Sequence, residues 1–265
     1  MVKAKKLAML LITASMFAFA SAAQAETRVS FATGVDYSNG DYGGADETEI
    51  ISIPLSARVS SGNWAVRVTI PYLHVTGPAD IADIIDGESG SVGTTARTDS
   101  ERGFGDTTVS VERTFRGVGG RNGYLELAAR ARLSSGDVDK GLGIGATDYT
   151  ALAEIGTSSR QGGAYLSAGY RFLGDTDPVD RQDGMQASVG GWLPVSDRVR
   201  VGGFANWREA SIEGNDDPAT AGAYVSYRMT ENLRVTLTAS GGLSDASADY
   251  MTGIRFTWRP GALNR

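Results

Sequence analysis

The chain has 265 residues, among them 25 basic and 31 acidic side chains, 35 glycines, one histidine and no cysteine, for a formal charge of −6. The absence of cysteine removes disulfide frameworks and thiol chemistry, and a lone histidine removes any multi-histidine metal centre. An acidic balance works against nucleic acid as a partner, because phosphate backbones are held by clustered lysine and arginine.

Lys3, Lys5 and Lys6 precede the apolar run LAMLLITASMFAFA, and Ala23, Gln24 and Ala25 give the small-x-small pattern of a cleavage site before Glu26. Residues 1–25 therefore read as a secretory signal peptide, leaving 26–265 as one β-barrel domain. Setting aside those three lysines leaves 22 of the 25 basic residues against 31 acidic ones, a formal balance of −9. No later segment has the continuous apolar character of a spanning helix, so an exported chain is either soluble or enters a membrane as strands.

The rest of the chain alternates apolar and polar residues at a period of two. In YLELAARARL, Leu125, Leu127, Ala129, Ala131 and Leu133 share one face, while Glu126, Arg130 and Arg132 share the other. In AYLSAGYRFL, Ala164, Leu166, Ala168, Tyr170 and Phe172 oppose Tyr165, Ser167, Gly169 and Arg171. Twelve such strands are predicted, at residues 27–38, 47–59, 63–75, 104–115, 123–134, 147–157, 163–173, 184–194, 198–209, 220–229, 232–243 and 249–259. Most run about ten residues or more, the length that crosses a bilayer at a tilt. The even count, and short turns alternating with long loops, predict an all-β, antiparallel outer-membrane barrel of a Gram-negative cell.

Two further patterns agree with that reading. On the apolar face, Tyr37, Tyr72, Tyr149, Phe172, Trp207 and Tyr250 fall at the long-loop ends, and Trp64, Phe115, Tyr227 and Trp258 at the short-turn ends, as aromatic girdles do. The other parity carries Asp36, Arg58, Arg67, Glu112, Glu126, Arg130, Arg132, Glu154, Arg171, Arg228, Arg234 and Arg255. Arginine on a lipid face near the midplane costs about 2 to 4 kcal/mol, so this set is expected to line a wet lumen. Twelve strands spaced about 4.8 Å and tilted about 40° enclose a backbone diameter of roughly 24 Å. Asp106, Asp137 and Asp148 stand near the long-loop side, where they face the bore entrance or cap turns.

Gly141, Gly143 and Gly145 in GLGIGATD supply backbone freedom for a returning loop, and no helix follows to make a dinucleotide site. The longest connection, residues 76–103, contains PADIADIIDGE, with Ile81, Ile84 and Ile85 at helical spacing among Asp80, Asp83, Asp86 and Glu88. It is read either as an inward constriction or as a surface loop, and its acidic spacing is not that of an EF-hand. Neither a metal nor an organic cofactor is expected.

ERGFGDTTVSVERTF, ARLSSGDVDKGLGIGATDYTALAEIG and AYLSAGYRFLGD, together with WAVRVTIPYLHVTG, resemble the transporter-like outer-membrane proteins of the MetA pathway of phenol degradation. Where that family usually has Lys-x-Pro-Thr-Gly-Asp, this chain has Arg132, Leu133, Ser134, Ser135, Gly136 and Asp137. The resemblance implies passage of aromatic or other hydrophobic catabolites. In the last strand, Gly253, Phe256 and Trp258 resemble the signal read by outer-membrane assembly machinery. The expected surroundings are outer-membrane lipid and lipopolysaccharide, with a small solute as cargo.

Two other functions are open at this point. One is a closed structural barrel that displays its loops. The other is an outer-membrane lipid hydrolase, which needs a histidine beside a nucleophilic serine and a third aligning group. His74 has outward parity near the outer rim, but no serine follows it at the second position and no same-face partner is evident from the strand pattern. The expectation is therefore transport without catalysis.

Overall fold

The computed structural model describes residues 27–44, 46–77, 100–176 and 180–260. The signal peptide at 1–25 and the PADIADIIDGE segment lie outside them. The described strands are β1 (Thr27–Gly40), β2 (Thr48–Ser61), β3 (Trp64–Thr76), β4 (Ser100–Phe104), β5 (Thr107–Arg116), β6 (Gly123–Leu133), β7 (Asp148–Ser159), β8 (Gly162–Phe172), β9 (Gly184–Pro194), β10 (Val199–Arg208), β11 (Ala219–Arg228), β12 (Leu233–Gly242) and β13 (Tyr250–Trp258). All pairings are antiparallel, and β1 bonds both β2 and β13, so the sheet closes on itself.

β4 and β5 are two pieces of one stave, which gives the twelve staves expected. Both pair with β3: Tyr72 stands opposite Phe104 and Thr69 opposite Thr108. Ile70 and Pro71 on β3 thus face three residues, Gly105, Asp106 and Thr107, and the surplus residue is a β-bulge. The bulge corrects the expected start of this strand at 104. Pairing resumes beyond it to Ser100, with Phe104 edge-on against Tyr72 at 5.4 Å between centroids. An extra residue shifts the period-two phase, so alternation followed back from Thr108 stops at the bulge although the stave does not.

Closure explains the sequence pattern. Outward positions on β2, β8 and β12 expose Ile51, Ile53, Leu55, Leu166 and Leu237, apolar surface that water would not tolerate in a continuous belt. The aromatic residues of both expected girdles share this outward parity. Phe31 and Trp258 stack at 5.8 Å near the short-turn end, Arg113 lies 4.9 Å over Trp64, and Tyr37 and Tyr250 meet at 5.9 Å near the long-loop end. The buried apolar cluster of the described residues is instead inside the barrel, at its long-loop end.

Candidate functional site

The bore has a wet part and a sealed part. From the short-turn end a cavity of about 890 Å³ runs upward to Pro71 and Asp106, bordered by Arg28, Arg58, Arg67, Arg116, Arg255 and Arg259. A second space of about 260 Å³ adjoins it through Arg67, Thr69 and Thr108, and is lined by Glu112, Glu126, Arg130 and Glu154. Glu112 anchors the boundary, accepting from Arg58 at 2.7 Å and pairing with Arg67 at 3.6 Å. Asp36 pairs with Arg255 at 3.4 Å, Thr114 donates to Glu126 at 2.8 Å, and Tyr124 donates to Glu154 at 2.6 Å. Glu126 and Glu154 stand directly across from each other on β6 and β7, so these hydroxyl donors offset a like-charge pair.

Arg132 and Arg171 share the inward parity but do not line open water. Both are buried in the outer rim. Arg132 pairs with Asp148, and Arg171 donates to the backbone carbonyl of Glu209 at 2.5 Å. Asp148 also receives both ends of the Arg181 guanidinium, at 2.9 Å each, and the Gly174 N–H at 2.8 Å. One buried carboxylate thereby ties β6 and β7 to the β8–β9 loop. Asp137 is exposed on the β6–β7 loop, 3.5 Å from Lys140.

Asp106 is the other tie. The bulge turns its side chain into the barrel, where Oδ1 accepts N–H bonds from Ser135 at 3.0 Å and Gly136 at 2.9 Å, and Oδ2 accepts from Ile144 at 3.0 Å. Three backbone donors on one buried carboxylate fold the β6–β7 loop inward. Gly143 permits the approach, since a Cβ there would stand 2.8 Å from Asp106 Oδ1. Leu142, 1% exposed, is thereby delivered into the outer bore.

Leu142 meets Tyr42 from the β1–β2 loop, Ala248 from the β12–β13 loop, Ile50 on β2, Leu73 and Val75 on β3, and Met251 on β13. Tyr42 holds a left-handed backbone, φ 52°, and donates to Ser38 Oγ at 2.9 Å. These residues form an apolar stopper across the outer end. A non-glycine residue in that conformation is held there by its surroundings, here its burial and its hydroxyl bond. Residues 78–99, read from sequence either as an inward constriction or as a surface loop, lie outside the described residues; the constriction described is closed by residues of three other loops.

Sequence reasoning set Tyr165 on the polar face but missed the inward aromatic residues that follow it. Tyr165, Trp192, Phe204 and Tyr224 carry the polar parity on β8 to β11. Their rings lie against glycines of adjacent strands: a Cβ at Gly190 would stand 2.7 Å from Tyr165, and one at Gly202 would overlap the Tyr224 ring. Arg200 lies 4.3 Å over Trp192. The near rim of these strands carries Arg228 and Arg234, of which Arg234 donates to Ser226 Oγ at 3.2 Å and Arg228 to the Asp197 backbone carbonyl.

On the outer wall the structure corrects the reading of His74 as partnerless. Ser100 on β4 places Oγ 2.6 Å from His74 Nε2, and Thr76 donates to the same oxygen at 3.3 Å. Ser100 was missed because the bulge hid β4. Among the described residues nothing bonds Nδ1 of His74, so the imidazole has no third group to fix its tautomer and orientation.

No family model matches the chain, and no curated protein matches it in sequence. Among solved structures it is similar to the COG4313 outer membrane channel from Pseudomonas putida F1, with a TM-score of 0.66 and 12% identity over 89% of this chain and 96% of that chain. The fold is that of an outer-membrane barrel. A KdgM porin is also similar, with a TM-score of 0.54 and 8% identity over 86% of this chain and 98% of that one. At these identities the likeness is one of fold, and both neighbours bear the names of channels rather than enzymes.

Proposed function

We infer that the protein sits in the outer membrane of a Gram-negative cell and conducts small solutes downhill, without catalysing a reaction. The observation that carries this is the polar bore, open from the inner rim through mid-barrel and ending under a stopper in which the loop residues Tyr42, Leu142 and Ala248 close against apolar wall residues. A structural barrel gains nothing from a cavity of about 890 Å³, whereas a channel needs one. The stopper favours solutes with an apolar or aromatic body, since a sugar-like molecule passing Leu142, Leu73 and Val75 would lose its hydration without replacement. This agrees with the cargo implied by the resemblance to the phenol-degradation proteins. Export through residues 1–25, assembly through the β13 signal and a surround of lipid and lipopolysaccharide complete the reading.

Solute uptake into liposomes carrying the purified protein tests it, alongside planar-bilayer conductance. Toluene-sized aromatic solutes should enter faster than in protein-free vesicles, and Tyr42→Ala with Leu142→Ala should raise both uptake and conductance. A barrel that is silent in both assays, as wild type and as the double variant, would be a closed structural barrel.

A further inference from the structure

Several arginines of the bore pair with an acid: Arg58 and Arg67 share Glu112, Arg132 and Arg181 share Asp148, and Arg255 has Asp36. Four neighbouring ones do not. Arg200 on β10, Arg228 on β11, Arg234 on β12 and Arg259 just past β13 stand together at the inner rim. Arg228 is directly across from Arg234, and Arg200 directly across from Ser226, whose hydroxyl Arg234 also reaches. Like charge from Arg200, Arg228 and Arg259 bears on Arg234. Among the described residues no carboxylate pairs with any of the four. In a chain of formal charge −6, this is a locally uncompensated positive field beside a wet cavity.

Opposed like charges on adjacent strands are destabilising, and a low-dielectric wall focuses their field into the bore. Two aromatic rings stand beside them. Tyr224 feels both Arg200 and Arg234, and Trp192 stacks under Arg200. Guanidinium groups with free donors bind carboxylates through paired N–H bonds, and flat rings offer a stacking surface for an aromatic body.

We propose that Arg200, Arg228, Arg234 and Arg259 form an anion subsite at the inner mouth that takes the carboxylate of a small aromatic acid, its ring lying against Tyr224 and Trp192. This rests on the channel reading and narrows its cargo, because the bore then prefers aromatic solutes that carry an acid group at the side from which they leave. A neutral hydrocarbon would pass the stopper but gain nothing here.

Calorimetric titration of the refolded protein in detergent tests the subsite without requiring conduction. Benzoate should bind saturably, and at least about ten-fold more tightly than benzyl alcohol, which keeps the ring but not the charge. Arg200→Gln with Arg234→Gln should weaken benzoate by about ten-fold or more, whereas Arg113→Gln, on the outer wall, should leave it unchanged. Equal affinity for benzoate and benzyl alcohol, or unchanged benzoate affinity in the double variant, would overturn the subsite. Inorganic phosphate competing as well as benzoate at equal ionic strength would overturn the assignment to an aromatic acid. If the double variant does not fold, the benzoate and benzyl alcohol comparison on wild type still decides. Conductance measured in parallel separates the two ideas: binding without conduction sinks the channel alone, and conduction without binding sinks the subsite alone.

Discussion

Arg181 reaches from the β8–β9 loop to Asp148 with both guanidinium arms, each at 2.9 Å, and its own side chain is fully buried. The geometry is a fork on a carboxylate, and Arg132 supplies a second cation to the same group. Removing the carboxylate takes the shared acid from two cations in a dry rim. Asp148→Ala is therefore expected to lower unfolding stability by about 3 to 5 kcal/mol. Arg181→Ala leaves Asp148 its Arg132 and should cost less. Urea unfolding in detergent, followed by tryptophan fluorescence, ranks the two; equal effects would mean that Arg132 alone does not hold Asp148.

Asp106 sets the position of the stopper through backbone bonds alone, so its replacement should act on the loop rather than on the wall. Asp106→Ala removes the acceptor for Ser135, Gly136 and Ile144, each bond to a charged group being worth about 1.5 to 3 kcal/mol. Asp106→Asn keeps one oxygen and should retain part of the order. Hydrogen exchange at residues 135–144 is expected to speed up from wild type to Asn to Ala, with single-channel conductance rising in the same sequence. Unchanged exchange in Asp106→Ala would show that Leu142 is held by its apolar neighbours instead.

The barrel was legible in the sequence because lipid outside and water inside impose opposite chemistry on alternate residues, as in the Leu125 to Leu133 and Ala164 to Phe172 segments. The stopper was not, because it breaks that rule. Ile50, Leu73 and Val75 are apolar residues of inward parity, and their trace is the run of apolar residues on both faces in EIISIPL and VTIPYLHV, the sign of a strand covered on two sides. Asp106 was placed near the entrance by sequence, but its three donors sit 29 to 38 residues away and follow from no local spacing. Arg200 and Arg208 share inward parity within the expected 198–209 strand and needed only a fuller count of that strand. Arg181 lies in a loop without periodicity, where nothing in the sequence points to Asp148.

The outward face makes a prediction that separates a lipid-facing wall from a merely exposed one. Leu237, midway along β12, is 54% exposed, and its neighbour Thr238 turns inward. Leu237→Arg should cost about 2 to 4 kcal/mol in refolding titrations into bilayers, and Thr238→Arg far less. A folded, monomeric mature chain in detergent-free buffer, indifferent to Leu237→Arg, would reverse the assignment of faces.

Ser100 and His74 raise the question of hydrolysis at the outer rim, where lipid headgroups lie. A serine oxygen 2.6 Å from an imidazole nitrogen is the first link of a nucleophilic dyad. The second link is missing among the described residues: with Nδ1 of His74 unsupported, the ring is free to rotate and to adopt either tautomer, and loss of that alignment alone costs a serine hydrolase several orders of magnitude in rate. Thr76 adds a hydroxyl to Ser100 rather than a base or an acid, which ties the serine down instead of activating it. The pair is therefore expected to fasten β4 to β3, not to cleave esters. Purified protein should hydrolyse phospholipid vesicles and p-nitrophenyl butyrate no faster than buffer, and His74→Ala should change only local exchange rates at Ser100 to Phe104. Ester cleavage that His74→Ala and Ser100→Ala both abolish would establish an active site on the wall.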